Sequence, residues 1–237
     1  MGSVGTPVIR RIVQVGRGPE RPEDLLASVG LRADAPASSW AGESVDAEAY
    51  YGLIERVAGA DDHALPFRYA EALQADDFGA LGLALKTAQT LGVTLQRLMR
   101  YILVLSDTLE YALVEEPGGQ RLELNGRPHH RRGAAMANEC ALAAVVSMLR
   151  QAAGVHVRPQ AVSFRHPPPP TATPHQAFFG CDVAFDAAHD AIHLPAAVIA
   201  QQPRLADAGL SAYLLAQLDD LRARAADRSL VAQVRGA

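Results

Sequence analysis

The stretch TLEYALVEEPGGQRLEL, residues 108–124, decides the fold class of this chain. Leu109, Tyr111 and Leu113 alternate with Glu110, Ala112 and Val114, then Pro117-Gly118-Gly119 interrupts, and Arg121-Leu122-Glu123-Leu124 alternates again. Period-two patterning on both sides of a Pro-Gly-Gly turn predicts a β-hairpin. Upstream the period is helical. Pro22 to Val29 reads as a short helix stopped by Gly30, and Ala47 to Ala58 carries Tyr50, Leu53, Ile54 and Val57 on one face. A further helix holds Phe67, Ala70 and Leu73. Asp76-Asp77 is placed to cap FGALGLALKTAQ, and Thr94 opens LQRLMRYILVLSD, with Leu95, Leu98, Ile102 and Leu105 as its apolar stripe.

Downstream, a long helix runs from Arg132 to Ala152. Strand candidates follow at Ala161–Arg165, Asp182–Phe185 and Ala191–Leu194, the last two expected to pair as a second hairpin around Asp186–Asp190. Asp207 to Arg224 is a final amphipathic helix. The expected fold is α+β: a helical N-terminal part and a mostly antiparallel sheet of two hairpins and an extra strand, packed by long helices. No glycine-rich phosphate loop joins a strand to a helix, which argues against nucleotide chemistry.

The chain has 237 residues, 49% hydrophobic, and 22 basic against 26 acidic residues leave a net charge of −4. That composition excludes a disordered chain and offers no global positive field for nucleic acid. Two cysteines, Cys140 and Cys181, exclude a disulfide scaffold and suit a reducing cytoplasm. The longest apolar run, Gly133 to Leu149, contains Asn138 and Glu139 and is too short to span a bilayer. Residues 1–20 read as an N-terminal extension, the first few of them a cloning scar.

Several residues are candidates for chemistry. His189 and His193 have HxxxH spacing, but the segment reads as turn and strand, so no metal site is expected. His129-His130-Arg131-Arg132 reads as a loop entering a helix. Neither cysteine has the cationic, exposed setting of a nucleophile, and no catalytic residues and no cofactor are predicted. Glu139 is the one ionisable residue between Arg132 and Arg150, on a helix apolar almost all round. It either points to solvent near the first turns or serves as a polar contact in a pocket. Arg165 and His166 end a strand before Pro167–Pro170, and alternation leaves open whether Val162 and Phe164 or Ser163 and Arg165 face inward. Tyr101 lies along an amphipathic helix. Glu139, Arg165, His166 and Tyr101 are the candidate ligand-binding residues.

Taken in order, FGALGLALKTAQTLGVTLQRLMRYILVLSD, the hairpin, VSFRHPPPP and HQAFFGCDVAFDAAHDAIHLPAAVI resemble the N-terminal effector domain of AraC/XylS-type bacterial transcription regulators. The resemblance runs from about Leu25 to Leu221, and its pattern carries a carboxylate where Glu139 stands. It implies a ligand-sensing and dimerisation domain over 21–228, with 229–237 starting a linker to an absent helix-turn-helix domain through which alone DNA would be bound. The implied partners are a small organic effector, with an available arginine favouring a fatty or aromatic acid, and a second copy of the chain. No membrane is among them. The stripe Leu210, Tyr213, Leu214, Leu218, Leu221 and Ala225 marks the final helix as the expected dimer seam. Trp40, the sole tryptophan, lies in a loop, and nothing marks a sugar site. A ligand-independent interaction module and, less favoured, a small-molecule enzyme are the alternatives.

Overall fold

A computed structural model describes residues 2–33, 44–101, 106, 108–128 and 131–220. Trp40, Ile102, Leu105, His129, His130, Leu221 and Ala225 lie outside the described residues, as does the segment expected to start a linker. The chain opens with β1 (Ser3–Gly5) and α1 (Thr6–Val15), followed by α2 (Pro22–Ser28), β2 (Ser44–Asp46), α3 (Ala47–Ala58) and α4 (Leu65–Ala72). A 3₁₀ turn (Ala75–Phe78) leads into α5 (Gly79–Lys86) and α6 (Leu91–Tyr101). Next come β3 (Glu110–Glu116), β4 (Gly119–Asn125), α7 (Arg132–Ala153), β5 (Ala161–Ser163), α8 (Thr173–Phe179), β6 (Asp182–Ala184), β7 (Asp190–Pro195) and α9 (Ala196–Ile199). A tenth helix, α10, covers 208–220. The fold is α+β.

The five-stranded sheet has the order β3-β4-β7-β5-β6. The expected hairpin of β3 and β4 forms, with Leu113 opposite Leu122. The second does not. β5 lies between β6 and β7, antiparallel to β7 and parallel to β6, which makes the sheet mixed. The reason lies in the backbone around Phe164. Its amide donates to the Ala184 carbonyl, its carbonyl accepts from Ala187, and the His166 carbonyl accepts from Asp186, so the turn after β6 is spent on the end of β5. Cross-strand partners share a face, and Leu113, Leu122, Ile192, Val162 and Val183 form one row across all five strands. Val162 of β5 and Phe164, the residue after it, are therefore the inward pair, both buried.

Helix α7 is the core element, buried along most of its length and packed on α3, α4, α5 and the sheet. Gly133 lets its first turn approach α3: a Cβ there would stand 2.1 Å from the Tyr51 carbonyl oxygen. Glu55 of α3 accepts from the Gly133 amide (2.8 Å) and holds that approach. Gly154, with φ +67, ends the helix in the left-handed conformation that costs glycine least.

Three local expectations are corrected. Asp76 and Asp77 lie within the 3₁₀ turn that leads into α5 and do not cap that helix; Asp77 accepts from the Gln74 amide instead. α6 starts at Leu91, three residues before Thr94, with the Thr90 hydroxyl accepting from Val93 (3.2 Å). In α10, the apolar stripe divides: Leu214 and Leu218 are buried in the domain, while Leu210 and Tyr213 are 41% and 64% exposed. The segment set apart as an extension is also part of the core. Val4, Ile9, Ile12 and Val13 are buried, and β1 pairs with β2.

Candidate functional site

Between α7 and the elements before it lies an apolar cavity of about 70 Å³. Ala137, Cys140, Ala141 and Ala144 of α7 form one wall. Their spacing of three and four residues puts small side chains on one face, and the volume those side chains do not fill remains open. Leu73, Phe78, Leu81 and Leu85 close another side, Leu98 comes from α6, and Val4 and Val8 come from the N-terminal segment.

The polar lining is sparse: Tyr50, Tyr69, Tyr111, Ser106, Cys140 and Arg127. Burial pushes all three tyrosine hydroxyls well above their ordinary range, so they are neutral donors at physiological pH. Burial raises the Cys140 thiol as well, and it stays protonated rather than nucleophilic. Arg127 follows the hairpin after Gly126, whose φ of +97 turns the chain inward. Its Nε and Nη2 donate to Thr108 Oγ1 (3.1 and 2.9 Å), and its Nη1 donates to the Ala137 carbonyl (2.9 Å). The guanidinium also stands over the Tyr50 ring, 5.9 Å from its centroid.

The four sequence candidates lie elsewhere, and none lines this cavity. Tyr101 is buried and donates to Asp219 Oδ1 (2.8 Å), with Arg100 on the same oxygen, so it ties α6 to α10. Arg165 is half-buried, and its amide donates to Asp190 Oδ1 (3.0 Å). The other oxygen of Asp190 accepts from Asn138 of α7 (3.1 Å). Glu139 and His166 do come together, joined by His175 of α8, a residue the sequence reading passed over.

Glu139 is 5% exposed, and its Oε1 accepts from His175 Nε2 at 2.9 Å. His166 Nε2 lies 3.1 Å from the same oxygen, although off the line of a hydrogen bond. Its Nδ1 faces the Pro167 carbonyl at 2.9 Å, so Nδ1 carries the proton and donates. Burial alone would raise the Glu139 carboxyl, but His166 and His175 outweigh it and hold it below its usual range. Burial would likewise lower His166; the adjacent carboxylate raises it instead. Phe67, Phe164 and Phe185 pack around the imidazoles, and the cluster is buried. It joins α7, α8 and the segment that follows β5.

His193 contacts Glu116 (3.0 Å) and His189 lies 3.8 Å from Glu123, with Arg121 between the two carboxylates, 3.0 Å from each. Among the described residues no group of three or more His, Cys, Asp or Glu is arranged to hold a metal. None of their helices is long and apolar enough to cross a membrane.

A family model described as the arabinose-binding domain of AraC transcription regulator, N-terminal, matches residues 21–203. The crystal structure of the transcriptional regulator CdpR from Pseudomonas aeruginosa superposes with a TM-score of 0.58 at 15% identity, over 89% of this chain. At that identity the likeness is one of fold. The chain spans 62% of the length of that protein. No curated protein matches in sequence.

Proposed function

The chain belongs to the family of N-terminal arabinose-binding domains of AraC transcription regulators, and from this premise we propose that it senses a small organic effector in its apolar cavity. The observation that carries the reading is the cavity itself: an apolar space with a few polar groups on its wall is the usual form of a small-molecule site. A domain that only joined subunits would gain stability by filling that space. Fatty or aromatic acids suit the lining. A sugar does not, since a ring of hydroxyls needs more hydrogen-bonding partners than this wall provides. The buried, protonated Cys140 speaks against a thiol enzyme.

Screening candidate effectors by thermal unfolding tests the proposal, with Ala144→Leu as its control. Leucine at 144 projects into the cavity, so the shift produced by a true effector is expected to vanish while the chain stays folded. An effector response unchanged in A144L places the site elsewhere. Within this reading, the Glu139–His166–His175 cluster acts from the same helix, setting the position of α7 and hence of the alanine wall. Arg165 and Tyr101 hold their own elements, the end of β5 and the α6–α10 contact.

The proposal includes a cytoplasmic homodimer that positions DNA-binding units lying outside these 237 residues. Leu210 and Tyr213, exposed on α10 beside the buried Leu214 and Leu218, support a seam along that helix. Sedimentation at micromolar concentration is expected to give a dimer mass, and Leu210→Glu with Tyr213→Glu a monomer. A monomeric parent chain would refute the dimer, and a double variant that remains dimeric would refute the seam.

A further inference from the structure

The cavity contains a charge with no counter-ion among the described residues. Arg127 is 7% exposed, and its three hydrogen bonds all go to neutral oxygens. The Tyr51 hydroxyl beside it is neutral as well, raised by burial. Arg11, Arg21, Arg56, Arg68, Arg100, Arg121 and Arg131 each meet a carboxylate, and all are nearer the surface than Arg127; Arg97 is also buried and bonded to neutral oxygens, but it does not line the cavity. Among the described residues no acidic group lies within ion-pair distance of Arg127. A charge removed from water without an opposite charge is among the costliest groups to bury. A fold that keeps one at the wall of an open space has a place for an anion.

The neighbouring groups have the same polarity. Neither the Tyr50 nor the Tyr69 hydroxyl has a hydrogen-bond partner among the described residues, and Tyr111 makes only a long contact to the Ala141 carbonyl (3.5 Å). Phenolic hydroxyls that stay protonated donate to an oxyanion, as a guanidinium does. Apart from Ser106, Cys140 and the thioether of Met148, the remaining lining is hydrocarbon. One fixed positive charge with neutral donors matches a monoanion; a phosphate, nearly doubly charged, would leave charge unmatched.

We propose that Arg127, with the hydroxyls of Tyr50 and Tyr69, seats the carboxylate of a small amphipathic organic acid whose apolar part fills the cavity. This rests on the effector-binding reading above and names the chemical class and the anchoring residue. The volume limits the tail. The cavity is about 70 Å³, roughly half of a ~150 Å³ cavity that takes up benzene, so short or branched acids fit it best.

The test pairs acids with alcohols of matching shape: isovalerate and hexanoate against isopentanol and hexanol, titrated calorimetrically into the 237-residue chain at neutral pH. The acids are expected to bind at least about tenfold more tightly than the alcohols. Arg127→Met is expected to weaken the acids by about thirtyfold or more and leave the alcohols unchanged. Arg127→Lys, which keeps the charge and loses the planar fork, and Tyr69→Phe, which removes one donor, are each expected to weaken acids by several-fold. These two keep the test open if the methionine variant does not fold.

Equal affinities for acids and alcohols in the parent chain would overturn the role of Arg127 and leave the cavity as a binding site. Tight acid binding that ignores R127K and Y69F would overturn it too. Failure of both series to bind would overturn the cavity reading, and this inference with it.

Discussion

Glu139→Gln is expected to lower the unfolding free energy by about 3–5 kcal/mol, the usual loss when one partner of a buried ion pair is removed. The carboxylate and both imidazoles are buried, so solvent screening does little to reduce the loss. Glutamine matches glutamate in shape but removes the negative charge beside His166, and it cannot accept as strongly from His175. Urea denaturation with an unchanged slope measures the loss. The effect also has a definite pH window. The Glu139 carboxyl is held below its ordinary value in the fold, so its stabilisation is present above about pH 4.3 and is lost as pH falls through the lower folded value. His166 is raised, so its stabilisation is complete below about pH 6.5 and is lost as pH rises through the higher folded value. The difference between parent and E139Q is therefore greatest between those limits and narrows on both sides. A loss under about 1 kcal/mol, or one that does not vary with pH, would show that the cluster is not an ion pair.

What could be read in the sequence divides along physical lines. The β3–β4 hairpin was legible because a local turn and a period-two pattern specify it without help from distant residues. α3 and α7 were legible for the corresponding reason, a long stripe with clear ends at Asp46 and Gly154. The pairing of β6 with β5 was not. Three-residue strands carry little pattern, and the backbone bonds of Phe164 and His166 that capture the turn come from twenty residues away. α8 was also missed, being only seven residues long. Its sequence held a usable signal, since His175, Phe178 and Phe179 stand at i, i+3 and i+4 behind a proline, and all three are buried. Glu139 and His166 could be singled out as a lone carboxylate and a strand-end imidazole, but their common partner follows from tertiary packing. Arg127 had no local signal. A single arginine after a glycine turn looks like a solvated loop, and its burial depends on α3, α7 and the start of β3 closing around it.

Deleting residues 1–18 is expected to leave a chain with no cooperative unfolding transition, although the family match begins only at residue 21. The deleted piece holds Val4, Ile9, Ile12 and Val13, all buried in the main core. At about 1.5–3 kcal/mol for each buried aliphatic side chain, the four contribute roughly 6–12 kcal/mol as an upper estimate. That is comparable with the ~5–15 kcal/mol by which a whole domain is usually stable. The loss goes beyond these side chains. β2 would lose its strand partner β1, the Ala47 amide its acceptor on Gly2, and the cavity the wall made by Val4 and Val8. Circular dichroism during heating checks the transition, and an apolar dye such as ANS reports exposed core. The intermediate case is informative. Deleting only residues 1–5 removes β1 and Val4 but keeps α1, so the chain is expected to fold with reduced stability and an opened cavity. A 19–237 chain that unfolds cooperatively and keeps its effector response would show that the sequence boundary of the family is also the boundary of the fold. The packing of α1 against α3 and α4 argues the opposite: the fold includes Ser3–Val15, and this strand and helix supply one side of the cavity.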